Sequence, residues 1–341
     1  MEKIVRFIGC HVPMDNCNLQ CSYCFVSHRP PGKAKRLSIG HSPEEVRTAL
    51  SKERLGGTCV MHFAASGETT LSSELFPIIH ELLKEGHYVS VVTNGTINEW
   101  FEKISSLPES FRKKIFFKFS FHFLELKRKG LIEKFCSNIN KSRAMGCSVS
   151  VEIVSSDDLI PYIDEIKEIC NENFGALCHL TIPRDDSLPN KPIMSSMTKE
   201  QFISTWETFN SEQFEFKAKI FNEKRNEFCY AGLLSLYVFL DTGDFRQCYR
   251  TPLAGNIYRN IDQPLKLEPV GNHCPDPHCD NGHAFLTLGL IPELEFETPT
   301  YAATRNRLCK DGSEWLTDEF KNVFGQRLYE NSSLPNYKKD K

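Results

Sequence analysis

Six short apolar runs, each separated from the next by a longer amphipathic stretch, fill residues 4–184 and constrain the fold more than any other feature of the chain. The runs are Val5–Cys10, Cys59–Ala65, Tyr88–Thr93, Ile115–His122, Ser148–Val154 and Leu177–Pro183. Between them lie helix-like segments at Pro43–Glu53, Ser72–Glu85, Ile97–Ser105, Glu125–Met145 and Leu159–Asn173. Strands alternating with helices at this spacing read as repeated βαβ units around a parallel sheet, an α/β fold. Runs as continuously apolar as Ile115–Phe121 suit a sheet that is covered by helices or curled into a barrel.

Beyond residue 184 the texture changes. Asp185–Met197 is rich in Pro, Ser and Asp and reads as a connector, followed by a helix over Lys199–Phe209. Leu234–Leu240 and Phe245–Cys248 flank the turn Asp241-Thr242-Gly243-Asp244, a hairpin pattern. Sequence rich in Cys, Pro and His then runs to Leu288, and the tail holds one helix, Asp318–Tyr329, before a polar end at Asn331–Lys341 that is expected to fray. The expected divisions are 1–190, 191–222 (connector with helix), 223–290 and 291–341 (tail).

A net charge of -3 gives no reason to expect a nucleic-acid backbone or an anionic membrane as partner. No export signal and no apolar run of membrane-spanning length is present, so a cytoplasmic protein is expected. In that compartment 14 cysteines point to metal or cluster ligation rather than to disulfides. Cys10, Cys59, Cys136, Cys147, Cys170 and Cys178 lie in apolar or helical segments and read as small buried hydrophobes; Cys309 is undecided. The other seven form two groups.

The first group is Cys17-Asn18-Leu19-Gln20-Cys21-Ser22-Tyr23-Cys24, directly after the first strand. Three close thiolates leave one coordination position for an outside ligand, the mark of a catalytic rather than a structural centre. The spacing admits an iron–sulfur cluster, or a zinc site completed by His28, or a buried helical stripe, although Asp15–Gln20 offers that stripe no apolar face.

The run resembles the motif of the radical S-adenosylmethionine (SAM) superfamily, including the aromatic Tyr23 before the third cysteine. The resemblance implies a partial (β/α)6 TIM-like barrel, a 4Fe–4S cluster on Cys17, Cys21 and Cys24, and reductive cleavage of SAM to a 5′-deoxyadenosyl radical that abstracts hydrogen. Ser66-Gly67-Glu68 is similar to the family's Gly-Gly-Glu motif, with Ser66 in place of the first glycine, and Thr93-Asn94-Gly95 to its Thr-Asn-Gly turn. The resemblance thereby implies SAM-binding roles for Tyr23, Gly67, Glu68, Asn94, Ser120, His122 and Glu152, with Arg184 a weaker candidate. All fall at or just past expected strand C-termini, where catalytic residues of αβ barrels gather on one rim.

The second group is Cys229, Cys248, Cys274 and Cys279. A hairpin can bring the first pair together, and Cys274-Pro275-Asp276-Pro277-His278-Cys279 supplies the second on a proline-stiffened loop. The C-x13-G-x4-C pattern followed by Pro252–Ile257 resembles the start of SPASM and Twitch extensions, which carry auxiliary 4Fe–4S clusters. The shorter Twitch form fits best, giving a small hairpin-containing iron–sulfur domain. Zinc is the alternative, and His273 or His278 could substitute as ligand.

The expected activity is oxidation or epimerisation of a sugar-like or other small substrate, with a flavodoxin or ferredoxin as electron donor. The position of the triad at residue 17 leaves no room before it for a leader-peptide-binding domain, which favours a small substrate. Modification of a peptide or protein side chain is the second reading. A zinc-binding interaction protein, with both cysteine sets structural, is the reading from a different class.

Overall fold

The computed structural model describes residues 2–24, 38–185, 188–248, 250–272, 274–279, 281–332 and 334. All six expected strands form: β1 (Ile4–Val12), β2 (Thr58–Ala65), β3 (Tyr88–Thr93), β4 (Ile115–Ser120), β5 (Ser148–Val154) and β6 (His179–Thr181). Each pairs parallel with its predecessor. Helices on the crossovers cover one face, giving an open α/β sheet of the partial-barrel type.

Local chemistry sets where the helices break. The stretch expected as one helix over Glu125–Met145 is two, Phe123–Lys129 and Ile132–Ala144, because Gly130 takes φ 64° and ends the first. A left-handed residue at this position is the usual glycine helix stop. Pro161 likewise confines Asp157–Tyr162 to a 3-10 turn before the helix Ile163–Asn173. The helix Glu212–Ile220, capped by Ser211, follows the expected one at Lys199–Trp206.

The strands alternate more than their apolar sequence suggests. Ile8, Met61, Phe63, Val89, Phe117 and Val151 face the helices in one large core. Phe7, Val60, Tyr88 and Phe116 face the other way, into a second core with Phe285, Leu288, Tyr301, Phe320 and Phe324. The C-terminal stretch therefore floors the concave face of the sheet. Phe116 and Phe324 meet edge to face at 5.0 Å between ring centroids, and Trp315 Nε1 donates to the Phe174 carbonyl at 3.0 Å.

The hairpin β7 (Ser235–Phe239) and β8 (Asp244–Arg246) forms as expected, and β9 (Leu253–Asn256) extends it. Its sheet is the barrel's own. β7 runs parallel to β1, giving the order β6-β5-β4-β3-β2-β1-β7-β8-β9. An unpaired β1 edge would leave a row of backbone donors and acceptors, and β7 satisfies them. The six scattered cysteines are all buried, and so is Cys309, whose thiol donates to the Phe174 carbonyl. No cysteine is in a disulfide. No described helix is long and apolar enough to cross a membrane.

A floor made by the C-terminal stretch should be part of the cooperative core. Phe324→Ala should lower the unfolding free energy by about 3–5 kcal/mol, the usual cost of emptying a buried phenylalanine site. Urea melts followed by tryptophan fluorescence measure it. A cost under about 1 kcal/mol would mean that the stretch is an appendage.

Candidate active site

The three N-terminal thiols lie in one loop beyond the C-terminal end of β1. Cys21 is buried and Cys17 and Cys24 are half-buried. The loop is pinned by hydrogen bonds from three directions. Gly67 and Glu68, just past β2, donate their backbone N–H groups to the carbonyls of Met14 (2.7 Å) and Asn16 (2.9 Å). Asn94, just past β3, donates through Nδ2 to Asn18 Oδ1 at 2.8 Å and to Cys17 Sγ at 3.8 Å. Glu125, in the helix after β4, accepts from the Gln20 N–H at 2.9 Å.

Gly67 is needed for close approach. A Cβ at this position would sit 2.0 Å from the Asn16 carbonyl oxygen, so the β2 loop and the cysteine loop touch backbone to backbone only because residue 67 has no side chain.

The side chain of Glu68, for which the resemblance implies a SAM-binding role, is turned into the protein. Oε1 accepts from Thr70 N (3.0 Å), Thr70 Oγ1 (2.6 Å) and Thr93 Oγ1 (2.7 Å), and Oε2 from Asn94 N (2.7 Å). Burial pushes its carboxyl up, while those hydrogen bonds draw it back down. In this arrangement Glu68 joins the ends of β2 and β3 and sets the position of Asn94.

Tyr23 and His122 sit together across the loop, with the phenol oxygen 2.5 Å from His122 Nδ1. Burial draws His122 down to about 4, so its ring is neutral near pH 7. Ser120 ends β4, two residues before it, and is half-buried. Tyr23 borders a cleft of about 460 Å³ that also takes in Val154 and Ser156 after β5, and Pro183 and Arg184 after β6. The rim expected from the sequence therefore brings together Tyr23, His122 and Arg184, with Asn94 behind the thiols.

Glu152 is elsewhere. It lies within β5, inside the barrel, and pairs with Lys118 at 2.9 Å and with Arg305. Strand alternation explains the difference, because Glu152 falls on the concave face below the strand end. Around Lys118 and Arg305 is a cavity of about 290 Å³, bounded also by His62, Tyr237, His283 and Tyr301. Sequence reading did not single out these residues. The available signal was a lysine inside the apolar run Ile115–Phe121.

The donor set fits a cluster at the N-terminal loop. Cys17 and Cys24 lie close enough to Cys21 to raise its thiol, which burial above all pushes up to about 12. Thiolates crowded this way require a bound cation to stay deprotonated together, and iron supplies one. Among the described residues no three His, Cys, Asp or Glu side chains already stand in ligand geometry. His28 and His273 lie outside the described residues.

The C-terminal cysteines also converge. Burial and the nearby Cys248 and Cys274 push Cys229 up to about 12, and Cys279 feels Cys229, Cys248 and Cys274. Cys229 and Gly271 exchange backbone hydrogen bonds at 3.0 Å, which lays the first cysteine against the loop carrying the last two. Asp276 braces that loop through the buried Lys191 and through Arg250 beside the hairpin, both at 3.1 Å. His278 packs against Phe221 with the rings tilted and their centroids 5.0 Å apart.

An open parallel α/β barrel with three free thiols at the strand C-termini defines a class, and the family comparison agrees with it. Residues 11–165, a little under half of the chain, match the radical SAM superfamily. Among solved structures it is similar to Streptococcus suis SuiB bound to S-adenosylmethionine, at 14% identity and a TM-score of 0.51, over 76% of this chain and 65% of that one. It is also similar to native anSMEcpe with bound AdoMet, at 16% identity and a TM-score of 0.50, over 75% and 79% of the two chains. The chain thus spans just under two thirds of SuiB. No curated protein matches.

The contact at Gly67 gives a test that needs no cofactor. Gly67→Ala should push the β2 loop off the cysteine loop, at a cost of about 1–3 kcal/mol. Labelling of Cys17, Cys21 and Cys24 by a maleimide, read by peptide mass spectrometry, should then be several-fold faster, with buried Cys59 and Cys147 unchanged. Equal rates in both proteins would show that the loops are not held by this contact.

Proposed function

We propose that the chain cleaves SAM reductively at a 4Fe–4S cluster on Cys17, Cys21 and Cys24 and takes hydrogen from a sugar-like or other small substrate, with oxidation or epimerisation as the outcome. The observation that carries this reading is the meeting of three free thiols, the Tyr23–His122 pair and a 460 Å³ cleft on one rim, with a second cavity on the inner face of the sheet. When bound there, a reduced cluster and SAM supply a 5′-deoxyadenosyl radical that abstracts hydrogen from carbon.

The chain's own residues position those partners. Three thiolates leave one iron position for SAM, and the Asn94 amide, donating to Cys17, tempers the charge on that sulfur. Tyr23, His122 and Arg184 line or border the cleft and offer contacts to the nucleoside and carboxylate, with Ser120 beside them. Gly67 and Glu68 act by holding the loops in register.

Cys229, Cys248, Cys274 and Cys279 are proposed to hold an auxiliary 4Fe–4S cluster of the Twitch type. Cys279 lines a narrow gap together with Lys217 and His283, and His283 also borders the inner cavity. A cluster held by these thiols would supply an electron acceptor close to the inner cavity, which would favour net oxidation over epimerisation. Zinc on the same thiols would only brace the loop. The proposed division remains a radical SAM barrel over 1–190, a connector over 191–222, an auxiliary domain over 223–290 and a tail over 291–341, although one sheet runs through the first and third. A cytoplasmic setting with a flavodoxin or ferredoxin donor suits oxygen-sensitive clusters.

A peptide substrate is the second reading. It is favoured by similar structures that carry peptides, SuiB with its precursor peptide SuiA and anSMEcpe with the Cp18Cys peptide. The modest 290 Å³ volume of the inner cavity favours the small substrate.

Replacing Cys17, Cys21 and Cys24 together by Ala should leave a folded protein that no longer releases 5′-deoxyadenosine from SAM under dithionite. Anaerobic reconstitution should give two 4Fe–4S clusters in the wild type and one in the variant, counted by iron and sulfide analysis and Mössbauer spectroscopy. SAM cleavage by the variant would overturn the primary site. Zinc in place of the remaining iron would overturn the electron-acceptor role.

A further inference from the structure

Barrel interiors are ordinarily filled by branched apolar side chains, yet this one carries charge. Lys118 projects from β4, Glu152 from β5, Arg305 from the C-terminal stretch, and Lys217 from the helix Glu212–Ile220. Glu152 pairs with both Lys118 and Arg305, and Arg305 also donates to Gln213 Oε1 at 2.7 Å. Lys217 donates to the hydroxyl of Thr181, a neutral partner. The arrangement sets three basic side chains against one carboxylate, and among the described residues bordering the 290 Å³ cavity none is Asp or Glu.

Uncompensated positive charge in a space with little water is costly, and a protein tolerates it where an anion is to be received. The two lysines register that cost. Burial and the Arg305 guanidinium draw Lys118 down to about 7 even with Glu152 beside it, and burial with Lys118 and Arg184 draws Lys217 to about 7. His62, pulled to about 3 mainly by burial, stays neutral there and hydrogen-bonds Ser90 at 2.8 Å. The cavity's other wall is aromatic, made by Phe7, Tyr237, Phe285 and Tyr301. Arg184 lines both the rim cleft and the narrow gap of Lys217 and His283, so the cations adjoin the reaction centre.

Taking the inner cavity as the substrate site proposed above, we propose that the substrate carries an anionic group, a phosphate or a carboxylate, which docks against Lys118 and Arg305 in the cavity and reaches Lys217 in the narrow gap that shares His283, while its uncharged body lies on the aromatic wall. A neutral analogue would leave the positive charge that Glu152 alone does not balance without a counter-ion, so the cavity selects against it.

Inorganic phosphate and acetate are the probes, with glycerol as the neutral control. Melting of the anaerobically reconstituted full chain is followed at constant ionic strength set with potassium chloride. One or both anions should give a saturable rise in Tm of about 1–2 °C, the size expected for a ligand at several times its Kd. Phosphate alone would point to a phosphorylated substrate, acetate alone to a carboxylate. The rise should disappear in Lys217→Gln, which loses only a hydrogen bond to a hydroxyl, and in Lys118→Gln if that protein folds. It should persist in Lys113→Gln, an exposed control. No saturable shift with either anion, or equal shifts in wild type and Lys217→Gln, overturns the proposal. 5′-Deoxyadenosine release by the same wild-type preparation separates the two readings. Anion binding without SAM cleavage keeps the site and removes the reaction, and cleavage without anion binding does the reverse.

Discussion

Glu68 has no water to turn to. Its carboxylate, 3% exposed, accepts four hydrogen bonds from Thr70, Thr93 and Asn94, while its backbone N–H bonds the Asn16 carbonyl of the cysteine loop. Leaving a buried carboxylate without these donors would cost far more than any one of them contributes, so the ends of β2 and β3 and the loop after β1 are obliged to meet. Asn94, fixed by its N–H on Glu68, carries the constraint on to Cys17. The three thiols are thus held by a hydrogen-bond network that reaches back into the sheet.

Gly67 makes that network sterically feasible, and Glu125 closes it from the far side through Gln20. The loop with the cysteines is consequently tied to three successive crossovers, each emerging at the C-terminal end of its strand. A parallel sheet supplies this convergence without further design, because every strand delivers its following loop to the same rim. The Tyr23–His122 pair and Arg184 arrive there by the same geometry.

The opposite face of the sheet follows a different logic. Its lower layer of Phe7, Val60, Tyr88 and Phe116 is sealed by Phe320 and Phe324, and the layer nearer the rim keeps His62 and Lys118 around a cavity, with Glu152 paired to Lys118. The apolar floor gives the charged layer its low-dielectric surroundings, and so makes the excess of cations consequential. Continuation of the sheet through β7 brings the hairpin, and with it the Cys248 side of the second cysteine set, onto the β1 edge of the same barrel.

Much of this was legible in the residues. The alternation of apolar runs with amphipathic stretches determined six parallel strands, because their lengths and spacing leave βαβ units as the economical way to bury them. The three cysteines after the first run, with Gly67 and Asn94 at later strand ends, marked the rim, because parallel strands send their following loops one way. Contacts between distant segments were not legible. The four donors that meet Glu68, and the face on which Glu152 lies, became visible only once the strands were paired. Tertiary structure also decided that the hairpin joins β1 and that the C-terminal stretch floors the sheet. It also decided that Lys118, Lys217 and Arg305 share one field although they are far apart in sequence. Local sequence sets periodicity and turn chemistry, whereas which charges and faces meet depends on packing over the whole chain.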